Sequence, residues 1–244
     1  LYFEFLVTND EDQQRLYIHT KLDEKNDLSR HLTIEGSDDN NAFLGYLKFL
    51  ADIRSRDTKL TNKIEDETNT IIKKEIQLER DKIVKEVSDY QQKMISTHPD
   101  YLSSKLIAAS IRPEVPPGLS RVDGYHYYRD RYWDNFDWSD SRLIRTPIFK
   151  DKIEFWTEKL TVQIPDSVIS AIDYMLQNIL KGGNKDMFQY AAAELLNKYA
   201  QTKVICMDAV YVALGEKYYC SGHAEWVDSA QLEKLYDENP TEAA

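Results

Sequence analysis

The sequence predicts a mainly α protein, α+β overall: a multi-helix domain with a small antiparallel β-rich remnant at its N-terminus. Three observations carry this reading. The stretch Tyr46 to Thr97 contains neither Gly nor Pro and spaces its apolar residues helically. Short alternating apolar runs are confined to residues 1–36. The linker RPEVPPGLSRVDG holds three of the seven prolines and separates the first helices from a second helical block.

The elements follow in order. YFEFLVT and RLYIHT have strand-like lengths and are separated by the polar turn NDEDQQ; HLTIEG is a third short run. Three short strands make a marginal sheet with an unpaired edge, so something N-terminal or a partner is expected to complete it. Ser37 or Asp39 is placed to cap a helix carrying Phe43, Tyr46, Leu47, Leu50 and Ile53 at helical spacing. The pattern thins to Leu60 and Ile64 among charges, then resumes at Ile83, Val87, Tyr90 and Met94. A single helix would run roughly 75 Å at about 1.5 Å per residue, so an αα-hairpin folded near the polar stretch is expected instead. His98-Pro99-Asp100 stops that segment. YLSSKLIAASI reads as a short helix, and beyond the linker helices are expected near 124–136, 147–159, 165–181, 184–200, 203–219 and 227–237. The resulting division is a β-rich end over 1–38, a long helix or helical hairpin linker over 39–111 and a helical domain over 112–244.

Composition narrows the function classes. The 244 residues are 42% apolar and 30% charged, as in a globular chain. No apolar run approaches the roughly 20 residues of a membrane-spanning helix, and LYFEFLVTND lacks the basic start of a signal peptide. It reads as a strand entered midway, so the chain is expected to be a piece of a longer one. A net charge of -11 gives no basic footprint for nucleic acid or for an anionic membrane surface. Lys73-Lys74 lies among Glu75, Glu79 and Glu86, the pattern of a solvated helix face.

The block GYHYYRDRYWDNFDWSDSRLIRTPIF is the most distinctive segment. Seven side chains between Tyr125 and Trp138 are aromatic. On one helix, Tyr125, Tyr128, Tyr132, Trp133 and Phe136 share a face, with Asp130, Arg131 and Asp134 opposite. Such a stripe is core, or else a surface on which sugars or peptides stack. Tyr128, Trp133, Trp138 and Trp226 are the candidate ligand-binding residues on the second reading. Asp134, Asp137 and Asp140 could gather carboxylates, but the calcium-loop glycine and glutamate are missing, and the segment looks like helix capping. Ser110, Ser120 and Ser141 sit in no GxSxG elbow. Gly182-Gly183 is a helix terminus, because no Lys-Ser or Lys-Thr pair follows as in a phosphate loop. His223 with Cys220 gives two metal ligands at most, too few for a site. Cys206 and Cys220 would stand roughly 21 Å apart on one helix. A bridge would need a turn, which Gly215 could supply; free structural thiols are expected, and there is no CxxC. Neither a catalytic residue, a metal nor a cofactor is called for.

The segment YHYYRDRYWDNFDWSDSRLIRTPIFKDKIEFWTEKLTVQIPDSVISAIDYML, continued by NKYAQTKVICMDAVYVALGEKYYCSGHAEWVD, resembles a known helical domain. That domain precedes the thioredoxin fold in TlpA-type thiol:disulfide oxidoreductases of Gram-negative bacteria and is itself known mainly as a domain of unknown function. The likeness covers roughly residues 112–238. Residues 1 to about 55, with YFEFLV and Gly36-Ser37-Asp38-Asp39-Asn40, resemble more briefly the end of the small β-rich domain found upstream in such proteins. The resemblance implies an extracytoplasmic setting, in the periplasm or at the outer membrane or cell surface, with any lipid anchor outside this chain. It implies a thioredoxin-like domain as partner, in cis or in trans, and a protein or peptide as that domain's substrate. The redox chemistry itself is carried over to no residue, since this chain has no CxxC. The expected role is a non-catalytic scaffold or recognition module; the alternative is a glycan- or peptide-binding protein that uses the aromatic helix 124–138.

Overall fold

The computed structural model describes residues 17–19, 32–224 and 226–227. YFEFLVT and most of the helix expected at 227–237 lie outside the described residues. Two short strands, β1 (Tyr17–His19) and β2 (Thr33–Glu35), pair antiparallel with Ile18 opposite Ile34. Eight α-helices follow among the described residues, so the fold is mainly α with a small antiparallel β remnant. None of them is long and apolar enough to cross a membrane. Packing divides the chain between Arg112 and Pro113, inside the proline-rich linker.

The first unit is built on the expected hairpin, α1 (Asp38–Asp66) and α2 (Thr70–Thr97). Ser37 is the residue that caps α1, its hydroxyl accepting the Asn40 N–H at 3.2 Å. Side chains make the hairpin turn without Gly or Pro. Glu67 Oε1 accepts the N–H groups of Thr68 and Asn69, each at 2.8 Å, and Asn69 Oδ1 then accepts the Ile71 N–H at 2.9 Å to start α2. Across the pair, Arg56 forks onto Glu86 at 2.7 and 2.9 Å, and Arg80 onto Asp57 at 2.7 and 3.3 Å. These exposed pairs fix register more than they add stability. Ile53, Ile76 and Ile83 are buried along the hairpin, while Tyr46, Met94 and Ile107 form its core at the base.

The third helix, α3 (Leu102–Ser110), has no cap from its own preceding residue. Asp39 of α1 supplies one from a distance, accepting the N–H groups of Leu102 at 2.7 Å and Ser103 at 3.1 Å. Its carboxylate thereby meets the positive end of the α3 dipole and satisfies two orphan donors. The strand β2 is held to α1 by Asn41, whose amide accepts the Ile34 N–H at 3.3 Å and donates to the Ile34 carbonyl.

The second unit packs around α6 (Pro165–Gly182). Val168, Ala171, Ile172, Met175, Leu176 and Ile179 repeat every three or four residues and are wholly buried. Gly183, at φ 72, ends that helix in the left-handed conformation that glycine adopts without strain. Asn184 then caps α7 (Lys185–Ala200), accepting the Met187 N–H at 3.0 Å. The remaining helices are α4 (Arg121–Arg131), α5 (Pro147–Glu154) and α8 (Asp208–Leu214).

The start of the last described helix differs from the sequence reading. The helix expected from 203 begins only at Asp208, because Cys206 takes a φ of 67 that no right-handed helix permits. Both α5 and α8 continue into one π-helical turn, Phe155–Lys159 and Gly215–Tyr219. There Leu160 N–H reaches the Phe155 carbonyl at 3.0 Å, and Cys220 N–H the Gly215 carbonyl at 2.9 Å, five residues back.

Candidate aromatic site

The aromatic block does not form the single helix expected over 124–136. After Ser120, whose hydroxyl accepts the Asp123 N–H at 3.1 Å, α4 runs only to Arg131. The chain then tightens into three-residue turns: Tyr132 N–H bonds to Arg129 O, Asp134 N–H to Arg131 O, and Phe136 N–H to Trp133 O, at 3.0 to 3.3 Å. The tightening has a packing cause. With a tighter turn, Tyr132, Trp133 and Phe136 all point inward and are buried, while Asp134 and Asn135 stay exposed.

These rings meet others from α5 and its π turn. Trp156 stacks on Tyr132 at 5.9 Å between centroids and meets Trp133 edge-on at 6.0 Å, within the range of favourable ring pairs. Phe149 stacks on Phe136 at 5.3 Å. The Trp156 indole donates to the Ala171 carbonyl of α6 at 2.8 Å, anchoring the cluster to the central helix. From α4, the Tyr125 hydroxyl at 2.7 Å and Arg129 Nε at 3.2 Å both donate to the Leu160 carbonyl, and the Arg129 guanidinium lies 4.6 Å over the Trp156 ring.

Lys152 closes the cluster from beneath. Its ammonium is buried, donates to the Tyr132 carbonyl at 3.0 Å, and sits 4.0 Å from the Tyr132 ring centre and 5.0 Å from that of Trp133. The Tyr132 hydroxyl donates back to the Lys152 carbonyl at 3.3 Å. A buried cation is costly unless compensated, and the Tyr132 carbonyl and two ring faces contribute to that compensation. The Trp133 indole N–H, by contrast, has no acceptor among the described residues.

The four candidate binding residues therefore have different surroundings. Trp133 is 4% exposed and belongs to the core. Trp138 is half-buried, 4.7 Å from Trp133 and 4.8 Å from Phe136. Tyr128 is half-buried against Tyr132 at 6.2 Å. Trp226 packs elsewhere, edge-on to Phe188 and Tyr219, both at 5.9 Å. The structure thus gathers the first three and leaves Trp226 in another cluster. Sequence reasoning passed over Lys152, Trp156 and Arg129. The spacing of Lys152 and Trp156, one helical turn apart in FKDKIEFW, was the available signal.

Asp137 and Asp140 are engaged locally, Asp137 in a turn and Asp140 as a helix cap, while Asp134 is exposed. Asp137 Oδ1 accepts the N–H and hydroxyl of Ser139 at 3.0 and 2.6 Å. Asp140 accepts the Arg142 N–H at 3.1 Å, opening the short 3-10 helix Ser141–Arg145, and the Arg142 guanidinium at 2.9 and 2.6 Å. Burial pushes the Asp140 pKa up, yet these bonds from Arg142 outweigh it and hold the carboxyl below its ordinary value. Among the described residues, no three His, Cys, Asp or Glu side chains are grouped as metal ligands. Cys206 and Cys220 are free and stand at opposite ends of α8 and its π turn, with Gly215 continuing the coil between them. His223 Nδ1 lies 2.7 Å from Ser221 Oγ.

What these features define is a helical domain whose aromatic block is part core, with Tyr132, Trp133 and Phe136 buried, and part half-buried. Residues 65–240 match the family described as DUF5106, a domain of unknown function, and the chain belongs to that family. No curated protein and no solved structure matches the chain significantly.

Proposed function

We propose that this chain is a non-catalytic scaffold or recognition module that positions a thioredoxin-like thiol:disulfide oxidoreductase domain, joined to it or bound as a partner. The setting would be extracytoplasmic, in the periplasm or at the outer membrane or cell surface, with any lipid anchor outside this sequence. The likeness of residues 112–238 to the accessory domain of TlpA-type proteins suggests the partner. The observation that carries the reading is the use of the aromatic block as packing. Tyr132, Trp133, Phe136 and Trp156 are at most 7% exposed, and Asp137 and Asp140 are engaged in a turn and a helix cap. Side chains fixed in this way build a rigid body suited to holding something else.

The alternative, glycan or peptide binding by the aromatic segment 124–138, would rest on Tyr125, Tyr127, Tyr128 and Trp138, which reach only partway to solvent. The test is to mix the purified chain with a thioredoxin-like domain from the same organism. Binding is followed by calorimetry, and disulfide reduction of a protein substrate is timed with and without the chain. Saturable binding that changes the rate on protein substrates, but not on a small disulfide, supports the scaffold. Absence of binding, together with retention on a glycan or peptide array that Trp138→Ala abolishes, overturns it.

A further inference from the structure

We draw no further inference here: the strongest candidate, the loop between α7 and α8 where Val204, Ile205 and the free thiol of Cys206 face solvent, carries nothing because nothing in the structure shows what covers it.

Discussion

Two tryptophans of one cluster offer a controlled comparison. Trp133 and Trp156 are 4% and 3% exposed and touch each other edge-on. Replacing either by Phe removes the same atoms from a closely packed interior, so the volume cost is similar and drops out of the difference. Hydrogen bonding does not drop out. Trp156→Phe loses the 2.8 Å bond to the Ala171 carbonyl, a net loss of about 0.5–1.5 kcal/mol. Trp133→Phe removes a buried N–H that has no acceptor among the described residues, relieving a desolvation penalty of about 1–3 kcal/mol. The Trp156 variant should therefore be the less stable by about 1.5–4.5 kcal/mol, the sum of those two ranges. Urea unfolding followed by circular dichroism at 222 nm measures this directly, as a shift in midpoint at unchanged slope. Equal midpoints, or a lower one for Trp133→Phe, would refute the assignment of the unpaired donor and the account of the core built on it.

Gly182→Ala should cost about 1–3 kcal/mol, since the new Cβ would lie 3.0 Å from the Trp138 carbonyl oxygen. Gly45→Ala, where the Cβ meets only the Tyr90 hydroxyl at 3.5 Å in a helix interior, should stabilise by up to about 1 kcal/mol; thermal melts of the pair check both signs. Asp39→Ala should destabilise by about 0.5–2 kcal/mol through loss of the α3 cap, with Asp39→Asn intermediate, as read from denaturant midpoints. Burial, with Glu158 nearby, pushes Tyr199 up to about 12, and burial beside Tyr211 does the same for Tyr219. Both phenols favour the neutral form when folded, so their contribution to stability is complete below the ordinary tyrosine value near 10. It is lost as pH rises through about 12. Absorbance at 295 nm should show these two ionising late or together with unfolding, and early titration of every tyrosine in a folded protein would contradict the burial.

Some of this architecture is written plainly in the chain and some is not. The hairpin is legible because 52 consecutive residues from Tyr46 to Thr97 lack Gly and Pro while their apolar pattern lapses midway. Its turn is less so, since Glu67 and Asn69 stop and restart the helices by side-chain bonds that charged and amide residues make at many other positions without effect. The core of α6 is legible from its periodicity. The end of α4 at Arg131 is not: Tyr-Trp-Asp-Asn contains no helix breaker, and what wins is burial of two large rings on adjacent residues, a tertiary effect. The π turns after α5 and α8 are equally silent, because one extra residue in a coil changes no local propensity and is fixed by where Trp156 and Tyr218 must reach. For Tyr218 that target is Asp173 of α6, bonded at 2.8 Å.

The site shows the same division between what residue types announce and what packing decides. Aspartates at three-residue spacing, a serine near a histidine, and aromatics in a run are each the raw material of chemistry, and here most are absorbed locally by caps, turns and core. The family signature adds a further lesson. It begins at Glu65, within the last turn of α1, so it takes in α2 and α3 but almost none of the helix they pack on. Yet Asp39 caps α3, Tyr46 shares a core with Met94 and Ile107, and Arg56 and Asp57 pair with α2. A polypeptide cut at residue 65 should accordingly lose the order of α2 and α3, while one beginning at residue 38 keeps it. Limited proteolysis of the two, read by peptide mass over residues 70–110, measures the difference. Equal protection would mean that α2 and α3 need no partner helix; cleavage confined to the shorter polypeptide would place α1 inside the structural domain, although the family pattern leaves it out.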